Sequence, residues 1–571
     1  MKVNIYPEKK CRSVFQSLIW KMLLLCAVFI LMHGLVFAAD IRGFITRIDS
    51  KTSFDVGYLH VSLSHNAHCS TLILHTPQIK YSIWNGRNSY AKQSVLMNTV
   101  SCIALNLTVG SKIHMDGTWH GDHKFTARKI DVYTYIETAG AKLRGAAIIE
   151  EQPNIQRKYS NRDGILWVDG YPLFATPYTA MLIAPESTDL RYGRLGKISD
   201  IYITNSKLKW KSPAVGLSFK FARENNCVTY HAVYRPNGSL AAESLIFFPN
   251  HVNTKEEHFL NVFRAKIINP DYKNNIPGSI KLKNAPLRRT QVLTILPDRI
   301  VQDWVSNLGI TLVPSYQKSL PDSDATKIHF RFYVVKSFGS KLDRYQKIID
   351  GVALRSYDDV LVSMPNGIIL IPDTILTNLK YTAQLVAILD YSISSVVQKQ
   401  SFISSPLFMD QEGYAATDYN FGFFQSEQQL RIGIRQMYLA GYDIREAPFA
   451  WAVAQGKPVQ NPIINSKHPD QEIPWYAAYA FNYISHYYSD VDYSKLKRGE
   501  REYQQFLQEL YKADPSLPRP QTQLEPQAST QPRAAAQPAP QSSPATPTAS
   551  ARPAASPVAP SSATPAITQA H

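Results

Sequence analysis

Between Asn366 and Lys399 the chain reads NGIILIPDTILTNLKYTAQLVAILDYSISSVVQK. The Ile-rich run Gly367 to Ile371 has the composition of a short buried strand, and Pro372-Asp373 punctuates it as a turn. From Leu379 onward apolar residues recur at Leu385, Leu389, Ile393 and Val397, with Val386, Ile388 and Val396 beside them, which is helical spacing. Upstream the period is two. Ile41 to Ile48 alternates and ends in the turn Asp49-Ser50-Lys51, and Phe54 to Leu63 reads as the next strand. Lys112 to Trp119 and Lys124 to Tyr133 flank His120-Gly121-Asp122-His123, a hairpin signal. Residues 140 to about 290 stay β-rich, with aromatic and β-branched residues between turn signals from Gly164 to Leu182. Helical spacing returns at Arg299 to Leu308, around Leu430, Ile434 and Met437, and from Tyr493 to Ala513. In the last of these, Tyr503, Phe506, Leu507 and Leu510 form an apolar stripe that suits intramolecular packing.

The two ends of the chain differ from this globular middle. Lys2, Lys9, Lys10, Arg12 and Lys21 precede the apolar run Met22 to Phe37, and Val36-Phe37-Ala38 supplies small residues before Ala39. Residues 1–38 therefore read as a secretory signal, with an uncleaved single membrane anchor as the alternative. Cys26 lacks the small residues a lipoprotein signal places before its cysteine. From Pro515 the chain is Pro, Ala, Ser, Gln and Thr without an aromatic residue, so residues 514–571 are expected to be a disordered tail, a spacer or tether.

At 571 residues, roughly three or four units are expected, and 44% hydrophobic residues exclude wholesale disorder. No second long apolar run follows the first, which excludes a multi-pass membrane protein. The net charge is +16, and removal of residues 1–38, with five cations and one acid, leaves +12. A basic exported protein would suit an anionic lipid or polymer surface, and no nucleic-acid-binding motif points elsewhere. Three cysteines remain after cleavage, Cys69, Cys102 and Cys227. An oxidising compartment permits a disulfide, and Cys69–Cys102 is the expected pair because both fall in the first β unit.

The helical window has a second reading. Leu385-Val386-Ala387-Ile388-Leu389-Asp390-Tyr391-Ser392-Ile393-Ser394-Ser395-Val396 resembles the helix of the HtpX/BepA/Oma-type zinc metallopeptidases, whose pattern is L-A-x-V-L-A-H-E-I-G-H-V. The window Ser426-Glu427-Gln428-Gln429-Leu430-Arg431-Ile432-Gly433, followed by Ala440-Gly441-Tyr442-Asp443, resembles that family's E-x-E-A-D-R-I-G and A-G-Y-D-P. Arg445 to Trp451 and Ser466 to Pro469 resemble its downstream A-x-x-F-W and T-H-P, and His329 to Val335 its early strand. The apolar frame is kept and the chemistry is lost. Tyr391 and Ser395 stand where the two zinc-binding histidines belong, Ser392 where the glutamate base belongs, and Ser426 where the third ligand belongs. Neutral hydroxyls are poor Zn²⁺ ligands beside imidazole, and serine cannot act as the carboxylate base. Asp390 and Glu427 are carboxylates one position out of register, about 100° round a helix.

The resemblance implies a degenerate peptidase unit over residues 293–492, with a zincin-like α+β fold, no catalytic residues, no metal ligands and no cofactor. The segments RGFITRID, VGSKIHMDGTW and FTARKIDVY resemble, more loosely, exported bacterial domains with an OB-like barrel, here residues 39–138. A second β-rich, barrel-like unit (139–292) and a C-terminal helix (493–513) complete a multidomain architecture. His114, His120 and His123, and the pair His65 and His68, are explained as well by a tight turn and a polar loop as by a metal. The implied function is a peptide- or protein-binding scaffold of the cell envelope or periplasm. The alternatives are an active zinc endopeptidase using Asp390 or Glu427, and an envelope structural or adhesive module. A zinc-free hydrolase using Ser392 or Ser395 lacks a partnered His or Asp at any recognisable spacing.

Overall fold

The computed structural model describes residues 37–76, 95–137, 139–155, 164–176, 179–183, 222–254, 256–257, 260, 266–268, 279–284, 289–336, 362–363, 365–400, 419–454, 456, 461, 463–464 and 474–519. The apolar run of residues 22–36, the tail beyond residue 519, the segment Val352 to Arg355, His258 and Ser466 to Pro469 lie outside these residues.

The first six strands are β1 (Phe37–Ser50), β2 (Ser53–Val56), β3 (Leu59–Thr76), β4 (Val95–Val100), β5 (Lys112–Trp119) and β6 (Lys124–Glu137). Five of them close a barrel in the order β1-β2-β3-β6-β5 and back to β1. The closing β3–β6 pair is parallel, whereas its neighbours are antiparallel. Alternation fills the interior: Ile113, Met115, Phe125 and Ala127 all point inward and are buried. β4 lies on β3, and a disulfide joins Cys69 of β3 to Cys102, with Cα atoms 5.2 Å apart. Phe54 to Leu63, expected as one strand, is broken by a turn at Gly57, where φ is +61°. A Cβ there would lie 1.9 Å from the Asn461 carbonyl oxygen, so only glycine fits.

A seven-stranded sheet follows. It comprises β7 (Lys142–Ile148), β8 (Asn154–Ile155), β9 (Gly164–Val168), β10 (Tyr171–Ala175), β11 (Ala180–Ile183), β12 (Asn226–Tyr234) and β13 (Leu240–Pro249), in the order β7-β12-β13-β10-β9-β8 with β11 also on β13. Among the described residues its two ends do not meet, so the second barrel-like unit is here an open sheet. β14 (Lys266–Ile268), β15 (Ser279–Asn284) and β16 (Arg289–Thr294) form a small antiparallel sheet.

The rest is mixed. Helix α1 (Arg299–Leu312) starts at Asp298, whose carboxylate accepts the Val301 N–H at 2.9 Å. After α2 (Ser315–Ser319) come β17 (Arg331–Val335), β18 (Val362–Ser363) and β19 (Ile368–Pro372). β19 is central, parallel to β17 and antiparallel to β18. Pro372-Asp373, expected as a turn, begins a one-and-a-half-turn helix, α3 (Asp373–Asn378), because the proline φ of −61° also suits a helix start. Helices α4 (Thr382–Val397), α5 (Tyr419–Leu439), α6 (Ala447–Ala454), α7 (Trp475–Tyr487) and α8 (Glu500–Ala513) complete the element order, with β20 (Ile463–Ile464) pairing to β1. No described helix is long and apolar enough to cross a membrane.

Every residue of α4 is buried, as for a helix enclosed on all sides. On α5, Leu430, Ile434 and Met437 face the same core. Gly433 lets the two helices approach, since a Cβ there would sit 3.1 Å from the Tyr391 amide nitrogen. The stripe of α8 packs inward: Phe506 stacks on Trp304 of α1 at 4.1 Å, and the Tyr503 hydroxyl donates to the Leu376 carbonyl at 2.7 Å. The barrel is pinned to this body. The Asn461 side chain bonds both the N–H and the C=O of Phe44, at 3.1 and 3.3 Å, and the Phe44 ring stacks on Phe481 at 4.6 Å.

Candidate functional site

The parallel strand β19 delivers the chain through α3 into α4, and α5 lies alongside. Three of the singled-out residues therefore meet in one place. Tyr391 is 9%, Ser392 3% and Ser395 8% exposed, so all three are buried. The Tyr391 ring packs edge-on against Trp451 of α6 at 4.9 Å. Ser426 lies on the first half of α5, and its side chain is outside the described residues.

The neighbouring carboxylates do not rebuild a ligand set. Asp390 is 1% exposed, and neither of its carboxylate oxygens has a hydrogen-bond partner among the described residues. The Ser394 hydroxyl, one turn further on the same face, is in the same condition. Burial holds the Asp390 carboxyl well above the usual range, and the nearby Glu150 adds to the shift. An uncharged carboxyl is the form this environment accepts, and it is a poor metal ligand. Glu427 is pushed up to about 7, chiefly by burial; the Arg431 charge opposes this and Asp169 reinforces it. The two acids thus answer to different neighbours.

The space over the C-terminal end of α4 and the middle of α5 is taken by the chain itself. Residues 146–151, the end of β7 and the turn after it, run across both helices. The Gln398 side chain treats Ile148 as a strand would. Its Oε1 accepts the Ile148 N–H at 2.7 Å and its Nε2 donates to the Ile148 carbonyl at 3.0 Å. The same Nε2 donates to Glu150 Oε1 at 2.6 Å, and Gln436 Nε2 donates to Glu150 Oε2 at 2.9 Å. Gln428 Nε2 donates to the Ala146 carbonyl at 3.2 Å. Arg435 grips Glu151 with two bonds of 2.8 Å and lies over the Trp167 ring at 3.8 Å. A cavity of about 20 Å³ beside Glu150, Gln398 and Gln436 is the room left there, enough for one water.

A second knot sits next to it. Arg431 donates to the Asp169 carboxylate at 2.6 Å, to its carbonyl at 2.8 Å and to the Tyr479 hydroxyl at 2.6 Å. Asp169 also accepts from the Tyr230 hydroxyl at 2.7 Å, and the Tyr483 hydroxyl donates to the Gly170 carbonyl. Both ions are more than nine-tenths buried, and the pair is fully hydrogen-bonded, which offsets its desolvation. Sequence reasoning missed this network, since Asp169 belongs to no motif and meets Arg431 of α5 across 262 positions.

On the barrel, His114 Nε2 donates to the Asp40 carboxylate (2.7 Å), and the ring faces Asp131 at 3.6 Å. His120 pairs with Thr126 at 2.9 Å, and His123 packs edge-on to Tyr58. The three histidines thus serve different neighbours. Among the described residues, two groups of three donors lie close enough to hold an ion, Asp40–His114–Asp116 and Asp49–Asp55–His60. Neither grouping was foreseen, though Asp55 and His60 are cross-strand partners on a hairpin. Arg47 lies 2.7 Å from Asp49, so that group is already internally paired. Asp390 and Glu427 belong to no such group among the described residues.

No protein-family model matches this chain, and no curated protein matches it either.

Proposed function

We propose that residues 293–492 are a catalytically inactive zincin-like peptidase unit, retained as a rigid protein-binding scaffold in an exported envelope protein. The observation that carries this reading is the state of α4. On α4, the positions that would hold two zinc ligands and the base are the buried Tyr391, Ser395 and Ser392, with Tyr391 packed on Trp451 of α6 and residues 146–151 close to the end of the helix. The parallel β17–β19 pair leading into α4, and the close α4–α5 approach at Gly433, support the zincin-like frame. Nothing in this arrangement calls for a cofactor. Zinc chemistry needs three placed ligands, and neutral hydroxyls at these positions do not supply them.

The closed five-stranded barrel, with its parallel β3–β6 closure, supports an OB-like assignment for the N-terminal unit. The scaffold would present this barrel and the outer faces of the helices to envelope proteins or peptides, with export resting on the N-terminal segment and its basic leader. An anionic surface remains a further partner of the basic chain.

The frame is testable by restoration. In the combined variant Tyr391→His, Ser392→Glu, Ser395→His and Ser426→Glu, side chains return to the ligand and base positions that the resemblance assigns. The variant is expected to bind about one zinc per chain by mass spectrometry, whereas the natural chain retains none. A folded variant that takes up no zinc would show that the frame is not zincin-like.

A further inference from the structure

A cavity of about 530 Å³ opens between the end of α1, α2 and the chain entering β17. That volume is within the range of roughly 300–1,000 Å³ typical of ligand sites. Its walls are of two kinds. Ile310, Val313 and Phe330 supply an apolar floor, and Ile310 is 40% exposed. Lys318, Lys327 and Arg331 supply cations, His329 stands beside them, and no acidic side chain lines it among the described residues.

The wall is built in advance. Gln317, buried, accepts the Ile328 N–H at 2.9 Å and donates to the Thr326 carbonyl at 3.4 Å. The Thr326 hydroxyl donates to Asp324 at 2.6 Å and accepts from Asn225, in the turn before β12, at 2.8 Å. Lys327 is tied to Asp322 at 2.8 Å and to the Leu320 carbonyl, and Lys318 reaches the carbonyls of Ile310 and Thr311 at 3.3 Å. Arg331 and His329 remain exposed at the rim. A guanidinium fork at such a rim matches a carboxylate with two parallel bonds.

We propose that this cleft binds a short acidic segment of a partner protein, with an apolar side chain against Ile310 and Val313 and carboxylates on Arg331 and Lys318. The inference goes beyond the peptidase-like reading and stands without it. Charge complementarity selects the occupant. Cations spaced around an apolar floor fit a chain that alternates acidic and apolar groups, whereas a lipid headgroup carries its charge at one point and a membrane cannot enter a concave cleft.

The test uses the full chain and a fluorescein-labelled octapeptide of alternating glutamate and leucine, with glutamine for glutamate as the control. Fluorescence anisotropy is expected to show saturable binding of the acidic peptide, none of the control, and weakening by at least about tenfold in Arg331→Glu and in Ile310→Asp. Both substitutions are at exposed positions, and a thermal melt matching that of the natural chain establishes that each variant is folded. Absence of saturable binding, or equal binding by Arg331→Glu, would overturn the proposal. So would Arg331-dependent sedimentation with phosphatidylglycerol vesicles in a chain that ignores the peptide.

Discussion

Replacing Glu150 by glutamine isolates the contact between the open sheet and the helix pair. Glu150 is pushed up to about 7 from 4.5, chiefly by burial; the adjacent Glu151 adds to the shift, and the Gln398 and Gln436 amides oppose it. Because the folded value is raised, the carboxyl's contribution is fully present below pH 4.5 and is lost as pH rises through about 7. The loss between pH 4 and pH 8 is at most about 3 kcal/mol, with partial exposure reducing it. Glutamine reproduces the neutral acid here. The Gln398 amide is fixed by its two bonds to Ile148, so it still donates to Oε1 of residue 150. Gln436 has only to turn its amide to accept from the new Nε2. Denaturant unfolding of Glu150→Gln and the natural chain should therefore give equal stabilities at pH 4, with the variant more stable at pH 8 by up to about 3 kcal/mol. A variant as stable as the natural chain at pH 4 but less stable than it at pH 8 would refute the reasoning, since the charge would then be an asset in the folded state.

Arg431→Ala leaves Asp169 buried without its cation, and should cost about 3–5 kcal/mol in denaturant unfolding. Cys69→Ala with Cys102→Ala opens a loop closed across 33 positions. It should lower barrel stability by about 4 kcal/mol, and reductant should do the same to the natural chain but not to the variant. The buried Cys227 should stay unreactive to thiol reagents until the chain unfolds, as read by mass spectrometry of alkylated protein at rising denaturant.

Local features of the fold were legible in the sequence. The hairpin at His120 to His123 joins β5 and β6, the stripe Tyr503, Phe506, Leu507 and Leu510 is the buried face of α8, and the apolar frame around Leu385 to Val397 is α4. Each depends on periodicity within one element. What stayed hidden depends on distant partners. Gln398, an unremarkable polar residue at a helix end, meets Ile148 across 250 positions. Asn461, in a segment without pattern, pins Phe44 across 417. The turn at Gly57 divides an apolar run that periodicity joins, because the backbone of Asn461 approaches there. At the candidate site, the hydroxyls of Tyr391, Ser392 and Ser395 and their place on one helix were readable from identity and spacing. That the chain packs its own residues 146–151 across the helix pair was not, because it arises from amide and carboxylate contacts with no spacing rule.

The most direct test of the inactive-scaffold account is zinc content, measured by mass spectrometry on the full chain after incubation with equimolar zinc and desalting. The account predicts less than about a tenth of an equivalent, with no casein cleavage in the same sample. Near one zinc per chain, with cleavage abolished by a chelator, would contradict it and make Asp390 and Glu427 the first ligands to substitute.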